Sequence, residues 1–304
     1  MHGYFISGLH VSSEMALPGA IPETARTTEG DVSIHRGPVP SALEDATASG
    51  PTWEMAGDIF LLRVPRLARF RITAGREIIV ETEPGITDHD AAGFVLGTAF
   101  GILLHQRGAL VLHGAAVAKD GRAIAICGAS GAGKSTLAAA LCREGHAFVT
   151  DDICVVELDS HRQPVVLPDG RQLKLWQQSI AGLDLADRRG EAVRESFEKY
   201  YIGPFASTAA EPPRLSAIYI LREARPPLKP GIEALALPDA VAALDYQAYR
   251  PGLRARIGDR PQMLMQAAAM LGHAEVFTLT RPRDFARIGE TVASLRAHWD
   301  ALDR

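Results

Sequence analysis

Residues Cys127 to Asp152 read "CGASGAGKSTLAAALCREGHAFVTDD". Within this stretch Gly128–Ser135, "GASGAGKS", fits the phosphate-loop pattern G-x-x-x-x-G-K-[ST] at every fixed position. Gly128, Gly131 and Gly133 permit backbone angles and a close approach that a β-carbon would hinder. The N–H groups they free form a concave nest for anions. Lys134 brings a compact positive charge to the outer phosphates and Ser135 a hydroxyl for Mg²⁺, while the start of the following helix adds its partial positive charge. The flanks fit the same unit, with the β-rich run "AIAIC" before the loop and the helix-forming run "TLAAALC" after it. We therefore read Gly128, Ala129, Ser130, Gly131, Ala132, Gly133, Lys134, Ser135 and Thr136 as the contacts of a nucleotide's phosphates.

Asp151 and Asp152 close the strand "HAFVT". A helix and a return strand bring them back beside the loop, because ligands in such sheets sit at strand ends. Two tasks wait there. One carboxylate holds the metal together with Ser135, and the other accepts the proton of an attacking hydroxyl. We assign Asp152 to the metal and Asp151 to the base. Composition alone would make the pair a solvated turn. Carboxylates this close also repel, raising one pKa unless Mg²⁺ offsets the charge.

Outward from this unit, "ALVLHG", "AAVAKD" and "RAIAICG" read as strands, with Asp120-Gly121 as a hairpin turn between the last two. Residues 88–107 read as a helix with Thr87 as N-cap and Gly108 as stop. The apolar run inside it, "AAGFVLGTAFGILLHQ", is too short for a bilayer, which needs roughly 20 residues, and is expected to be a buried helix. "DIFLLRVP", "ARFRITA" and "EIIVETE" read as antiparallel strands. Residues 23–57, rich in Thr, Ser, Pro, Gly and acids, read as a polar loop or mobile connection. After the core, "ICVVELD", "QPVVLPD", "LSAIYILRE", "IEALAL" and "EVFTLTRP" read as strands. "LKLWQQSIAGL", "PDAVAALDYQAY", "RPQMLMQAAAMLG" and "RDFARIGETVASLRAHWDAL" read as helices.

Hairpins mixed with helices imply an α/β fold: a phosphate-loop nucleotide-binding core with a mixed sheet and flanking helices over 87–304, plus a small β-rich N-terminal unit over 1–86. The chain has 304 residues, a net charge of −4 and 47% hydrophobic residues, ample for a core and unsuited to nucleic acid or a membrane surface. The N-terminus lacks the basic leader and long apolar run of a signal peptide. Its three cysteines lack metal-ligand spacing and suit a reducing, cytoplasmic setting.

Taken together, "LHGAAV", the loop and "GHAFVTDD" resemble the catalytic core of the HPr serine kinase family, over about residues 109 to 160. That family carries a His-Gly strand, a loop G-x-S-G-x-G-K-S and a strand Gly-His-x-x-x-Asp-Asp. Here these are His113-Gly114, Gly128–Ser135 and Gly145-His146 through Asp152. The resemblance implies Mg²⁺- and ATP-dependent phosphoryl transfer to a serine hydroxyl of a peptide or small protein. Lys134, Asp151 and Asp152 would carry the chemistry, with His113 near the phosphate end. It also leaves room for a homo-oligomer, since relatives often assemble. The basic, proline-containing motif that serves the reverse, dephosphorylating reaction in bifunctional members is not found here. "LKLWQQSIAGL" and "EKYYIGPF" resemble instead a divergent branch that includes kinases of lasso-peptide precursors.

Two other readings share the loop. One is a small-molecule kinase of the shikimate or gluconate type, although about 127 residues precede the loop here. The other is a regulatory ATPase switch without a phosphate acceptor. Lys174, Arg188, Arg189 and Lys199-Tyr200-Tyr201 read first as solvated charge, with contact to a phosphate or an acceptor from a mobile segment as the alternative. Arg281-Pro282-Arg283 reads as a turn, His146 as structural, Trp176 and Trp299 as helix packing, and "MLMQAAAM" as core.

Overall fold

The alternation in Ala68–Thr73 shows how the first sheet forms. Ala68, Phe70 and Ile72 are buried while Arg69 and Arg71 turn outward, where they pair with Glu81 at 3.1 Å and Glu77 at 3.4 Å across the next strand. The computed structural model describes residues 1–23, 30–194, 197–205, 209 and 211–302. Its first sheet holds β1 (His2–Ile6), β2 (Leu9–Ser13), β3 (Val32–Arg36), β4 (Ala48–Gly50), β5 (Trp53–Ala56), β6 (Ile59–Val64), β7 (Ala68–Thr73) and β8 (Glu77–Thr82). Their spatial order is β1-β2-β3-β8-β7-β6-β5-β4. The pairs β2–β3 and β3–β8 are parallel, and the remaining pairs are antiparallel.

This corrects the expectation for 23–57, because β3, β4 and β5 lie inside it. β3 is a two-sided strand held by parallel neighbours distant in sequence, so turn-forming residues around it masked its pattern. Part of that expectation, 24–29, lies outside the described residues.

The expected helix over 88–107 forms as α1 (Asp88–Phe94), a π-helical turn over Val95–Ala99, and α2 (Phe100–Gln106). Thr87 caps it in a reciprocal capping box with Asp90. Its apolar residues pack between the inner face of the first sheet and Val111, Ile153 and Val155 of the second. No helix among the described residues is long and apolar enough to cross a membrane.

The second sheet contains β9 (Leu110–Lys119), β10 (Arg122–Cys127), β11 (Ala147–Thr150), β12 (Ile153–Leu158) and β13 (Pro164–Val166). "ALVLHG" and "AAVAKD" are thus one strand, β9, not two. The turn into β10 forms as expected: Asp120 (φ 53°) and Gly121 (φ 76°) both take positive angles and leave Lys119 opposite Arg122. α3 (Lys134–Arg143) follows the loop. "LKLWQQSIAGL" is not all helix, for β14 (Lys174–Trp176) precedes α4 (Gln177–Gly182). β14 joins β15 (Arg189–Ala192) and β16 (Lys199–Ile202) in a small sheet of order β14-β16-β15. The remaining elements are β17 (Arg214–Glu223), β18 (Gly231–Ala234), α5 (Leu237–Gln247), α6 (Pro251–Ile257), α7 (Arg260–Leu271), β19 (Glu275–Arg281) and α8 (Ile288–Ala301).

The second sheet runs β10-β9-β12-β13-β17-β19-β18, with β10 also parallel to β17 and β11 antiparallel to β9. It is mixed, as expected. α3 and α8 share one hydrophobic cluster on it, with Trp299 1% exposed, while Ala240 and Leu244 of α5 and Met270 of α7 belong to another. Leu264 and Met265 of α7 are exposed, so the "MLMQAAAM" stripe is core only at its end.

Candidate active site

β10 is buried from Ala123 to Cys127 and delivers the chain to the glycine loop, which ends where α3 begins at Lys134. Gly133 sits at φ 91° as the residue before that helix, and a β-carbon there would lie 2.4 Å from Nη2 of Arg281. The same Nη2 donates to the Ala132 carbonyl at 2.8 Å, so the loop is clasped from the far end of β19. Burial pushes the Arg281 pKa down, with Arg283 adding to the effect.

Lys134 is buried, and its ammonium donates to the carbonyls of Gly128 (2.9 Å) and Ala129 (3.2 Å) and to Nε2 of His113 (2.9 Å). An ammonium can only donate. Nε2 of His113 therefore accepts, and the ring proton resides on Nδ1. That atom lies 3.3 Å from both Oδ1 and the backbone oxygen of Asp152. Burial lowers the pKa of Lys134, opposed chiefly by the charge of Asp151.

The two aspartates occupy the turn between β11 and β12, which follow one another along β9. Asp152 takes φ 75°, a strained angle for a residue with a side chain. This turn sends the carboxylates to different partners. Asp151 is buried, and its Oδ1 accepts the Ser135 hydroxyl at 2.7 Å while Oδ2 accepts the backbone N–H of Lys174 at 3.4 Å. Asp152 faces His113. Burial opposes its ionisation, yet the hydrogen bond from His113 and the charge of Lys174 outweigh it and hold the carboxyl below its usual range. Against the expected pairing of Ser135 with Asp152, the structure places Ser135 beside Asp151. Spacing along a strand cannot show which of two adjacent side chains a turn directs inward.

These groups open on one cavity of about 550 Å³. Of the expected phosphate contacts, Ser130, Gly131, Gly133, Lys134, Ser135 and Thr136 line it. So do His113, Asp151 and Asp152. Gly128, Ala129 and Ala132 shape the loop through their carbonyls instead. Thr136 also meets the Ser179 hydroxyl at 2.9 Å, joining α3 to α4. His146 stacks on Trp299 and bonds to the Leu141 carbonyl, the structural role expected of it.

The sequence reading did not place other cavity residues. Lys174 and Lys199, read as solvated charge, line it, as do Arg281 and Arg283. Trp176, expected to pack helices, is 49% exposed at its rim. The only signal in the sequence was their nearness to aromatic β-rich runs, which many surface strands share. Among the described residues no group of three or more His, Cys, Asp or Glu side chains could hold a metal ion by itself.

No protein-family model matches the chain, and no curated protein matches it. Among solved structures, the Hpr(Ser) kinase/phosphatase from Coxiella burnetii is similar to 64% of this chain and 99% of its own, at 16% identity and a TM-score of 0.35. That is a distant likeness of fold, and it carries no argument about residues or reaction.

Proposed function

We propose that the protein is a Mg²⁺- and ATP-dependent kinase that transfers a phosphoryl group to a serine hydroxyl of a peptide or small protein. The observation that carries this reading is a division of labour around one cavity: Ser135 with Asp151 on one side, and Lys134, His113 and Asp152 in a continuous hydrogen-bonded chain on the other. The motif resemblance to HPr serine kinases supplies the serine acceptor; the geometry supports the phosphoryl chemistry.

The residues fit both absent groups. For a triphosphate there are the glycine loop, where Gly133 holds φ 91° and a β-carbon would displace the Arg281 guanidinium, and the cations Lys134, Arg281 and Arg283 around it. For Mg²⁺, which takes one or two carboxylates together with waters and phosphate oxygens, the Ser135 hydroxyl and the Asp151 carboxylate stand side by side. Bound there, Mg²⁺ would neutralise charge on the phosphate oxygens. Asp151, already turned to Ser135, is assigned to the metal.

Asp152 is then left to orient the acceptor hydroxyl and take its proton. A carboxylate held in its charged form is a weak base. It suffices because such transfers have a loose transition state, and positioning and charge stabilisation dominate. His113, donating from Nδ1, keeps the carboxylate aimed, and its Nε2 ties that aim to Lys134. The buried free thiols Cys127, Cys142 and Cys154 fit the reducing cytoplasm proposed for it.

The test is intact-mass analysis of serine-containing peptides incubated with the protein and Mg-ATP. A gain of one phosphoryl group, abolished in Asp152→Asn and in Lys134→Met, is expected. Phosphate release with no peptide modified would replace this reading with an ATPase.

A further inference from the structure

The small sheet sorts its side chains by face. Leu173, Leu175, Tyr200 and Ile202 enter the hydrophobic cluster beneath α3 and α8. In the register Lys174↔Tyr201 and Trp176↔Lys199, the other face carries two lysines on one diagonal and two aromatic rings on the other. Each ammonium lies 5.9 Å from a ring centroid, Lys174 over Tyr201 and Lys199 over Trp176. Such contacts position a cation without neutralising it. Neither ammonium has a hydrogen-bonding or ion-pairing partner among the described residues, although β14 abuts Asp151 through the Lys174 N–H.

Two half-buried ammonium groups without an ion-pairing partner among the described residues therefore face the cavity from the side of the aspartates. The loop side is already furnished with Lys134, Arg281 and Arg283. A neutral serine side chain would give neither ammonium an ion-pairing partner.

We infer that Lys174 and Lys199 form an anion clamp on the acceptor side of the cavity, and that the acceptor peptide brings a carboxylate close to the hydroxyl it presents to Asp152. The inference rests on the kinase reading above and deepens it. The ammonium groups hold the carboxylate, Trp176 offers the neighbouring peptide an apolar surface, and the serine falls between the clamp and the phosphate loop.

Two titrations on the full-length protein test this. In the first, wild type and the double variant Lys174→Met/Lys199→Met, each saturated with Mg²⁺ and a non-hydrolysable ATP analogue, are titrated with inorganic phosphate as the anion probe. The methionines keep the stems, and a Lys174→Arg/Lys199→Arg variant shows that the charge, not the fold, is read. Wild type and the arginine variant are expected to take up phosphate, and the methionine variant about tenfold more weakly or worse. In the second, serine peptides with aspartate or asparagine at each flanking position are compared as acceptors, with free and amidated chain ends to tell a side-chain carboxylate from a terminal one. Wild type should show a KM for the best carboxylate-bearing peptide about tenfold lower than for its neutral counterpart, and the methionine variant should lose that preference.

Equal phosphate uptake by wild type and methionine variant overturns the clamp. Weaker binding of the ATP analogue by the methionine variant overturns it too, by assigning the lysines to the nucleotide. An analogue that wild type itself does not bind overturns instead the nucleotide reading beneath it.

Discussion

The hydroxyl of Ser135 donates to Oδ1 of Asp151 at 2.7 Å, joining the first turn of α3 to the turn that follows β11. If this pair shares a cation, removing either oxygen should act through the metal. Ser135→Ala and Asp151→Asn are expected to lower phosphoryl transfer about a hundredfold and to move the Mg²⁺ midpoint upward, with thermal stability little changed. Mg²⁺ titrations of activity check this. An unmoved midpoint in both variants would take the metal away from the pair.

Gly133 and Gly145 separate crowding from backbone strain. Both have φ near +90° (91° and 93°), but a β-carbon at Gly145 meets nothing within 4 Å while one at Gly133 strikes Arg281. Gly145→Ala should cost about 1 kcal/mol from strain alone and leave nucleotide affinity intact. Gly133→Ala should cost more and weaken nucleotide binding as well. Denaturation midpoints and analogue titrations on both variants give the comparison. Equal behaviour would mean that Arg281 yields freely.

His105 makes stability depend on pH. It is 3% exposed, and its Nε2 donates to the Tyr249 carbonyl at 2.8 Å. Burial pushes its pKa down to about 4 from the ordinary 6.5, against the pull of that carbonyl. Between those values the unfolded chain holds the extra proton, so stability rises with pH and is lost on acidification, by about 3 kcal/mol across the whole window. Urea denaturation of wild type and His105→Gln between pH 7 and pH 4.5 should show a shallower pH slope in the variant. Parallel slopes would contradict the assignment.

Arg171 ties the two sheets together. Its Nε reaches both oxygens of Asp169 at 2.9 and 2.7 Å, Nη1 reaches the Leu96 carbonyl in the π-helical turn, and Nη2 reaches the Ser7 hydroxyl. Burial raises the Asp169 pKa, and the charge of Arg171 opposes this. Arg171→Met strands a buried carboxylate and should cost about 3–5 kcal/mol, whereas Arg171→Met/Asp169→Leu should recover much of the loss. Chemical denaturation distinguishes them; a double variant as unstable as the single would move the weight to the bonds with Leu96 and Ser7.

Much of the site was legible because its chemistry is local. The glycine loop, its lysine and its serine occupy consecutive positions, and each acts through its own backbone angle or its place at a helix start. Thr87 with Asp90, and Asp120 with Gly121, were readable for the same reason: a cap or a tight turn involves neighbours only. The alternation in β7 and β8 announced one wet and one dry face.

Contacts between distant segments left no such trace. Arg281 grips the Ala132 carbonyl across 149 positions, and β3 owes its existence to parallel neighbours on both sides. The order of the two aspartates followed the letters, but their division between Ser135 and His113 followed from the strained turn at Asp152. Lys174 and Lys199 read as solvated charge and Trp176 as helix packing until the pairing of β14 with β16 turned them toward the cavity. Neighbours along the chain dictate conformation through short-range sterics and hydrogen bonding. Which side chains meet across space depends on strand register and packing, and these are settled only by the fold as a whole.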